Sequence, residues 1–384
     1  MIDYRRKTVI KGQKELRCGY TTGTCAAAAA KAAAVTLLSG EICRDVSLQL
    51  PGGEHIILET EFLECSENCV KCGMIKDAGD DPDITNGLLI CAAVEKTEGK
   101  TILIDGGMGV GRVTKPGLDQ PVGAAAINSV PRKMIHEAVE DVRRQYAWEK
   151  GLKVTVFIPN GKKKAEKTLN PMLGIVGGLS VLGTTGIVEP MSEKALIDTI
   201  AVDIRMHRAQ NEDILLMAPG NYGMDYLKAA YHIHPDQVIK ISNFIGDSID
   251  LAVCEGASGI VLAGHIGKLI KVAGGIMNTH SHQADARMEI MTAYAAMAGA
   301  GNDILRQIMS STTDAGMEIL LQCGLLTETM QLILEKIEAH VKKRAGSQIE
   351  IGIIIFSNVF GMLGQTENVP NLFKKMNAAQ HKEE

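Results

Sequence analysis

Aromatic residues and excess positive charge are both scarce in this chain. Only 4% of its 384 residues are aromatic, although 46% are hydrophobic. The cores must therefore consist mainly of Ala, Val, Ile, Leu and Met, which suits α/β layers with closely packed helices better than a β-sandwich. The formal net charge of −5 argues against nucleic-acid binding, which requires a basic face. An anionic small molecule is not excluded, because a local basic cluster can attract one within an acidic protein.

Long hydrophobic runs and a cysteine framework are also missing. The first residues, MIDYRRK, lack the apolar stretch of a signal peptide. The most apolar long segment, Leu173 to Val188, is interrupted by glycine, serine and threonine, and it is too short to span a bilayer. The nine cysteines are an odd number without a disulfide spacing pattern. We therefore expect a cytoplasmic protein with reduced thiols and no membrane segment.

Residues 1–165 mix segments that are typical of helices and of strands. Gly19–Thr24 leads into a run of alanines that favours a helix with hydroxyl groups at its start. Strand-like segments follow, and a second helix is predicted over Pro131–Trp148. The Gly- and Lys-rich segment Asn160–Lys167 is the best candidate for a linker. This pattern predicts a mixed α+β N-terminal domain and leaves room for a second domain.

From about Pro171 onwards, strands and helices alternate regularly. The predicted strands include Ile187–Val188, Ile214–Met217, Val238–Ser242, Ile260–Ala263 and Ile349–Phe356. Such alternation indicates parallel βαβ units. We therefore predict a doubly wound, mostly parallel, Rossmann-like domain over residues 170–376, followed by a flexible tail over 377–384. The predicted fold class of the whole chain is α/β.

Three glycine-containing turns follow neighbouring predicted strands in this second domain. Their sequences are APGNYG from Ala218, SNFIGD from Ser242 and GHIGK from Gly264. Parallel strands end at one edge of a sheet, where open α/β sheets bind ligands, so the turns should line one crevice. The residues predicted to bind a cofactor there are Gly220, Asn221, Gly223, Asn243, Asp247, Gly264 and His265. Asp247 could instead cap a helix, and the GHIGK turn is not a P-loop, so no ATP hydrolysis is expected.

Two polar clusters in the N-terminal half are further candidates. The hydroxyls of Thr21, Thr22 and Thr24 lie where a helix exposes unpaired N–H groups, so they can cap that helix or hold a polar ligand, and the two roles are compatible. The turn Lys76–Asp83 places four carboxylates beside one lysine. Clustered acids can accept a proton or bind a polar substrate group. The alternative is an ordinary solvated acidic turn.

Two other motifs match known sites without the context that those sites need. Asp105–Gly111 matches the D-x-G-x-G-x-G loop of common methyltransferases, but a proline-containing segment follows where that loop requires a helix. Cys65, Cys69 and Cys72 have the spacing of the cluster ligands in radical S-adenosylmethionine enzymes. That motif normally follows the first strand of a barrel, and no eightfold βα pattern is present. A chance trio of cysteines is the favoured interpretation.

Several separate segments together resemble one family, the CbiD-type cobalt-precorrin-5B C1-methyltransferases of anaerobic cobalamin (vitamin B12) synthesis. The resembling segments include GYTTGTCAAAAAKAA from Gly19, KDAGDDPDITNG from Lys76, LGTTGIVEPMSEKAL from Leu182 and GHIGKLIKVAGGIMNTHSHQADARMEI from Gly264. GVGRVTKPGL and INSVPRKMI lie between the second and third of these. The resemblance extends from about Gly19 to Phe360, which is nearly the whole chain.

This resemblance implies a cytoplasmic methyltransferase that uses S-adenosylmethionine as cosubstrate and methylates C1 of cobalt-precorrin-5B to give cobalt-precorrin-6A. Cobalt is expected only within this corrinoid substrate, and the protein itself is expected to bind no metal. The tetrapyrrole carries many carboxylate arms, for which basic side chains are suitable ligands. The residues predicted to bind it are Thr21, Thr22, Thr24, Arg112, Lys115, Arg132, Lys268, Lys271 and Arg287.

Proton handling is assigned to four further side chains. They are Asp77, Asp80, His265 and His280. Two alternative functions stay open, namely a non-catalytic corrinoid carrier and an iron–sulfur radical enzyme that uses the cysteine trio. We expect no nucleic-acid or membrane partner, and the sequence leaves open whether the chain forms a homo-oligomer.

Overall fold

A computed structural model describes residues 7–380 of the chain. The chain divides into two compact units, Met1–Glu193 and Lys194–Glu384. Among the described residues, no helix has both the length and the apolar character needed to cross a membrane.

The first unit contains many short strands and a few helices. Its helices are α1 (Thr22–Ser39), α2 (Ser129–Gln145) and α3 (Gly161–Ala165). Its strands are β1 (Thr8–Lys11), β2 (Lys14–Arg17), β3 (Gly19–Tyr20), β4 (Asp45–Gln49), β5 (His55–Glu59), β6 (Glu61–Cys65), β7 (Cys69–Ile75), β8 (Leu89–Thr97), β9 (Ile102–Gly106), β10 (Gly109–Val110), β11 (Arg112–Val113), β12 (Gly151–Phe157), β13 (Ile175–Val176), β14 (Gly178–Leu179) and β15 (Ile187–Val188).

A mixed five-stranded sheet in the order β6-β7-β8-β12-β9 forms the framework of the first unit. β12 is antiparallel to β8 and parallel to β9. Helix α1 packs against β7, β8 and helix α2, and the alanines from Ala26 to Ala30 are fully buried. Because alanine has no side chain beyond Cβ, the helix can approach both neighbours closely at the density of a normal core.

The segment from Ile175 to Val188 is part of the first unit. β13 pairs with β11, β14 pairs with β10, and β15 pairs with β3. The predicted strand Ile187–Val188 therefore exists, but it pairs with Gly19–Tyr20 and not with the parallel sheet. The predicted linker Asn160–Lys167 contains helix α3, and the predicted division at residues 165–170 falls inside this unit.

The remaining elements alternate more regularly. The helices are α4 (Glu193–Ala209), α5 (Asn221–Tyr231), α6 (Ile245–Cys254), α7 (Ile266–Ala273), α8 (Arg287–Met297), α9 (Asn302–Met309), α10 (Thr313–Gln322), α11 (Leu326–Ala345) and α12 (Val369–Gln380). The strands are β16 (Ile214–Ala218), β17 (Val238–Lys240), β18 (Gly259–His265), β19 (Glu350–Ser357) and β20 (Gly361–Gln365).

These strands form one five-stranded sheet in the order β17-β16-β18-β19-β20. The first four are mutually parallel, and β20 is antiparallel to β19. Successive side chains of a strand point to opposite faces, and both faces are buried. Leu215 and Met217 pack in a core with α4, α6, α7 and α11, whereas Ile214 and Leu216 pack with α5 and α12. The predicted α/β class, with a doubly wound and mostly parallel sheet, is confirmed.

Two details of the second unit differ from the sequence prediction. Strand β20 turns back after β19 as an antiparallel edge strand, because the chain needs only a short turn at Ser357–Gly361 to pair with its own preceding strand. In the predicted tail over 377–384, the residues up to Gln380 continue helix α12, and residues 381–384 lie outside the described part of the chain.

Candidate functional site

The carboxyl edge of the second unit's sheet brings the three predicted turns together. β17, β16 and β18 are adjacent and parallel, and one turn follows each of them. Gly220 starts helix α5 with a φ of 117°, which glycine adopts without strain. Ser242, in the second turn, has a φ of 53°, an uncommon value for a residue with a side chain and one that often marks functional sites. The turns thus lie side by side where open sheets bind ligands.

Lys268 connects the three turns. Its Nζ donates a hydrogen bond of 3.3 Å to the carbonyl oxygen of Ser242, and a Cβ placed on Gly220 would lie 3.4 Å from the same Nζ. Burial lowers the pKa of Lys268, and the nearby charges of Lys240 and Lys271 lower it further. Within residues 7–380, Lys268 forms no ion pair with a carboxylate. A half-buried ammonium without a counter-ion suits the binding of an anionic group.

His265 is held in one orientation at the start of helix α7. Its Nδ1 accepts a hydrogen bond of 3.1 Å from the backbone N–H of Gly267 and so caps the helix. Burial lowers the pKa of His265, against a weaker opposing effect of Asp314. We therefore assign the neutral tautomer with its proton on Nε2. This imidazole can donate a hydrogen bond to a ligand, but its one accepting nitrogen is already engaged.

The glycines of the turns serve mainly close packing. A Cβ on Gly223 would lie 2.8 Å from the Cβ of Ala218, and a Cβ on Gly264 would lie 2.8 Å from the side chain of Leu269. Substitution at either position would push the turn away from its neighbours. Asn221 is exposed at the first position of helix α5. The backbone of these turns is therefore closely packed, while the polar side chain of Asn221 remains accessible.

Asn243 and Asp247 lie in the turn after β17 and in the helix that follows it. The carbonyl oxygen of Asn243 accepts a 2.9 Å hydrogen bond from the N–H of Thr279, and its Oδ1 accepts a 3.4 Å hydrogen bond from the Thr279 hydroxyl. Asp247 lies in the first turn of α6 and makes no capping hydrogen bond, although its charge is favourable there. Asn243 thus anchors the segment that begins near Met277, and the capping role considered for Asp247 is absent.

Lys271 and Arg287, two predicted substrate ligands, stabilise the same segment. Lys271 is 3% exposed, and its Nζ donates to the carbonyl oxygens of Thr279 at 3.2 Å and Ala284 at 2.8 Å. Arg287 forms a two-bond ion pair with Asp285, with N···O distances of 2.6 and 2.8 Å. Both cations are therefore occupied in shaping residues 279–287.

His280 lies in the exposed part of this segment beside His282. The two rings are perpendicular, with centroids 4.9 Å apart, and the Nδ1 of His280 accepts a 3.2 Å hydrogen bond from the backbone N–H of His282. An imidazole that accepts a hydrogen bond through Nδ1 carries a proton on Nε2. The geometry makes His280 a hydrogen-bond donor, so binding of a metal through Nε2 would require loss of that proton.

In the first unit, the side chains of Thr22 and Thr24 form hydrogen bonds with the segment 182–186. Thr22 Oγ1 accepts from the N–H of Leu182 at 2.9 Å and lies 3.1 Å from its carbonyl oxygen. Thr24 Oγ1 donates to the carbonyl oxygen of Gly186 at 2.7 Å, and Thr21 caps helix α1. The capping interpretation is therefore confirmed for Thr21. These hydrogen bonds join the start of α1 to residues 182–186.

The predicted acidic cluster is tied to Arg17. Asp77 accepts two hydrogen bonds from the Arg17 guanidinium, at 2.5 and 2.9 Å, and Asp80 Oδ2 accepts a 2.6 Å hydrogen bond from the Arg17 backbone N–H. The hydrogen bond to Asp77 is the main reason that the pKa of Arg17 is raised. Both oxygens of Asp77 are therefore engaged, whereas Asp80 is exposed and keeps one oxygen available.

The three basic candidates of the first unit differ in their contacts. Arg112 forms a two-bond ion pair with Asp105, at 2.8 and 2.9 Å, and this pairing lowers the pKa of Asp105. Arg132 donates to the carbonyl oxygens of Ile104 and Ile127, at 2.9 and 3.0 Å. Lys115 has no ion-pair partner among the described residues. Of the predicted substrate cations, Lys115, Arg132 and Lys268 thus form no ion pair within residues 7–380, and of these Arg132 is held by backbone carbonyl oxygens.

A buried lysine in the first unit was not among the predicted site residues. Lys76 is 1% exposed, and its Nζ lies 2.6 Å from Asp83 Oδ2. The ion pair lines a cavity of about 190 Å³. Burial alone would raise the pKa of Asp83, but the charge and hydrogen bond of Lys76 and hydrogen bonds from Thr85 lower it overall. The sequence shows a single lysine beside four carboxylates, which could have suggested an ion pair. It does not show that this lysine is buried.

The structure also shows the surroundings of the Asp105–Gly111 loop and of the cysteine trio. β9 is followed by the short strand β10 and not by a helix, so the Asp105–Gly111 loop lacks the helix start that a methyltransferase loop needs. Cys69 and Cys72 are three residues apart on strand β7, so their side chains point to opposite faces, and Cys72 is fully buried. No cluster of three metal-binding side chains occurs in the described part of the chain. The iron–sulfur alternative is therefore not favoured.

Comparisons with known proteins agree over most of the chain. The profile described as CbiD matches residues 9–190, and the profile described as CbiD, C-terminal domain, matches residues 278–367. The chain is 47% identical over 352 residues to the cobalt-precorrin-5B C(1)-methyltransferase of Ruminiclostridium cellulolyticum, which covers 91% of each chain. It is 42% identical over 377 residues to the protein of the same name from Alkaliphilus metalliredigens, covering 98% of this chain and 99% of the relative.

A solved structure is also similar in sequence. It is a cobalamin biosynthesis protein (cbiD) from Archaeoglobus fulgidus, which is 27% identical and matches 74% of this chain and 89% of its own. The TM-score of this match is 0.40.

Proposed function

The chain belongs to the CbiD family, and from this membership we propose that it methylates C1 of cobalt-precorrin-5B with S-adenosylmethionine as the methyl donor, giving cobalt-precorrin-6A. The main support is that relatives bearing the name cobalt-precorrin-5B C(1)-methyltransferase align with 91% and 98% of the chain. The corrinoid-carrier alternative has no such support.

We place the donor at the carboxyl edge of the second unit's sheet, where the turns at Gly220–Gly223, Asn243–Asp247 and Gly264–His265 lie side by side. S-Adenosylmethionine carries a carboxylate, hydroxyl groups and a charged sulfonium. Lys268, which has no counter-ion in the described chain, is suited to bind the carboxylate. The Nε2–H of His265 is suited to donate to a donor oxygen, and Asn221 and Asp247 supply further polar groups at the edge.

The reaction depends mainly on aligning the sulfonium methyl group with the ring carbon that accepts it. A nucleophilic ring carbon attacks the sulfonium methyl in line, the C–S bond breaks as the new C–C bond forms, and the thioether leaves with the electron pair. A proton is then lost from the ring system. Holding donor and acceptor in this geometry can contribute about 7–11 kcal/mol to lowering the barrier, and no covalent intermediate with the protein is required.

The four residues predicted to handle the proton differ in whether their acceptor atoms already accept hydrogen bonds. The accepting nitrogens of His265 and His280 and both oxygens of Asp77 already receive hydrogen bonds. Asp80 keeps one accessible carboxylate oxygen. We therefore propose that His265 acts as a hydrogen-bond donor and that the proton passes to water. Asp80 keeps the capacity to accept a proton, but it belongs to the first unit, whereas the donor turns belong to the second.

The function is tested by incubating the protein with S-adenosylmethionine and cobalt-precorrin-5B, followed by mass analysis for one added methyl group and mapping of its position. Methylation at C1 is the expected result. Calorimetry with S-adenosylmethionine alone forms the second measurement. Tight binding of the corrinoid without donor binding or methyl transfer would instead support the carrier function and contradict the proposal.

A further inference from the structure

The cavity beside the Lys76–Asp83 ion pair is lined by a buried ammonium group with unused hydrogen-bond donors. A lysine ammonium has three N–H donors, and Lys76 uses one of them on Asp83 at 2.6 Å. Among residues 7–380, Asp83 is the one hydrogen-bond partner of its Nζ. Because the side chain is 1% exposed, bulk solvent reaches it only through the cavity. Unpaired donors on a buried charge are costly, so this position favours an added acceptor.

The carboxylate of Asp83 is already satisfied. Its Oδ1 accepts from the backbone N–H of Thr85 at 2.7 Å and from the Thr85 hydroxyl at 2.6 Å, while Oδ2 accepts from Lys76. Asn170 is 7% exposed. Its side-chain amide donates one N–H to the carbonyl oxygen of Gly178 at 3.3 Å and retains a second N–H donor. Lys76 and Asn170 together therefore retain more unused N–H donors than Asp83 retains unused acceptor positions. A ligand that accepts hydrogen bonds fits this balance, and a ligand that only donates them does not.

The cavity has room for an organic group. Its volume is about 190 Å³, whereas a single water needs about 10–15 Å³ on this type of measure and an engineered cavity of roughly 150 Å³ holds benzene. Leu182, which is 49% exposed, lines the cavity together with Thr21 and Thr22, so the cavity reaches the protein surface. Apolar and polar walls together suit a short chain that ends in a carboxylate.

We propose that this cavity is a binding site for a carboxylate-terminated arm, with Lys76 as the ligand of the carboxylate and Asn170 as a second donor. Identification of that arm with an acetate or propionate side chain of the tetrapyrrole rests on the proposed function. The binding of a short carboxylate does not rest on it.

The test uses the full chain and propionate as the probe, with propionamide as the neutral control, in ligand-detected NMR titrations. Because Lys76→Met can disturb folding, the main variant is Ser180→Leu, which fills the cavity from a residue in its wall and leaves the ion pair intact. Lys71→Met, a lysine substitution on the preceding strand β7 and outside the cavity wall, is the matched control. Saturable propionate binding to the wild-type chain, weakened roughly tenfold or more in Ser180→Leu and unchanged in Lys71→Met, is expected.

Two results would overturn the site. One is the absence of saturable propionate binding to the wild-type chain, and the other is equal binding to the wild-type and Ser180→Leu chains. Calorimetry with S-adenosylmethionine on the same samples keeps this conclusion separate from the proposed function. Loss of propionate binding with normal donor binding and methyl transfer would refute the cavity alone, whereas propionate binding without any methyl transfer would refute the function alone.

Discussion

Removing either partner of the Lys76–Asp83 ion pair should destabilise the first unit, and the two removals should differ. In Asp83→Asn, an ammonium that is 1% exposed loses its counter-ion, which typically costs about 3–5 kcal/mol. In Lys76→Met, the remaining carboxylate is 25% exposed and keeps both hydrogen bonds from Thr85, so a loss of about 1–3 kcal/mol is expected. The aspartate substitution should therefore be the more damaging one.

The measurement is urea unfolding followed by tryptophan fluorescence. Trp148 is the single tryptophan of the chain and lies in the first unit, so its signal reports that unit. The double variant Lys76→Met with Asp83→Asn should be more stable than Asp83→Asn alone, because it leaves no unpaired buried ammonium. Lys71→Met breaks an exposed ion pair with Glu64 and should leave the stability of the first unit nearly unchanged.

The same ion pair predicts how stability depends on pH. The folded-state pKa of Asp83 is lowered, so folding favours its ionised form. Its contribution to stability is present above the ordinary carboxyl pKa and is lost as the pH falls through the lowered value. Wild type should therefore lose stability on acidification more steeply than Asp83→Asn. Equal losses for the two single variants, or parallel pH profiles, would refute the account of a buried, charged pair.

Three other outcomes follow from the structure. Lys268→Met should weaken S-adenosylmethionine binding roughly tenfold or more in calorimetry, whereas Lys240→Met, which removes only a neighbouring cation, should change it little; equal effects would contradict the proposed donor contact. His265→Asn should keep its helix cap, and hence thermal stability, but lose donor affinity, whereas His265→Ala should also lose about 1 kcal/mol of stability; unchanged affinity in His265→Asn would exclude the Nε2–H contact. Gly183→Ala should destabilise the first unit by roughly 3 kcal/mol, since its φ is 137° and a Cβ would collide with a threonine side chain. Gly177→Ala, with φ of 87° and open space around it, is the matched strain control in thermal unfolding, and equal losses would show that the collision is unimportant.

Regular patterns made much of the second unit predictable. Alternating apolar strands and amphipathic helices identified β16, β18 and β19 within a few residues, because a strand that is buried on both faces must be apolar throughout. Their parallel order placed the following turns at one edge. The short strand Ile187–Val188 was also found, but its partner was not, because two residues carry too little pattern to specify which strand they join.

The predicted site residues show a similar limit. Residue type suggested that Arg112, Lys271 and Arg287 bind an anionic substrate, but charge alone does not reveal whether the charge already has a partner. In the folded chain, Arg112 and Arg287 are paired with aspartates, and Lys271 donates to backbone carbonyl groups. Lys76 was passed over because a lysine in an acidic turn is expected to be exposed.

Local order and chemical type thus follow from the chain itself: the α/β class, the turns after the parallel strands, the capped alanine helix and the likeness to CbiD proteins are all written in contiguous segments. The sequence does not determine in this way which polar side chains contact each other. Whether Lys268 lacks a counter-ion, which nitrogen of His265 holds the proton, and how Lys76 and Asp83 come to line a cavity with Asn170 depend on contacts between residues far apart in sequence. Those contacts arise only when packing removes water and leaves each buried polar group a small set of possible partners.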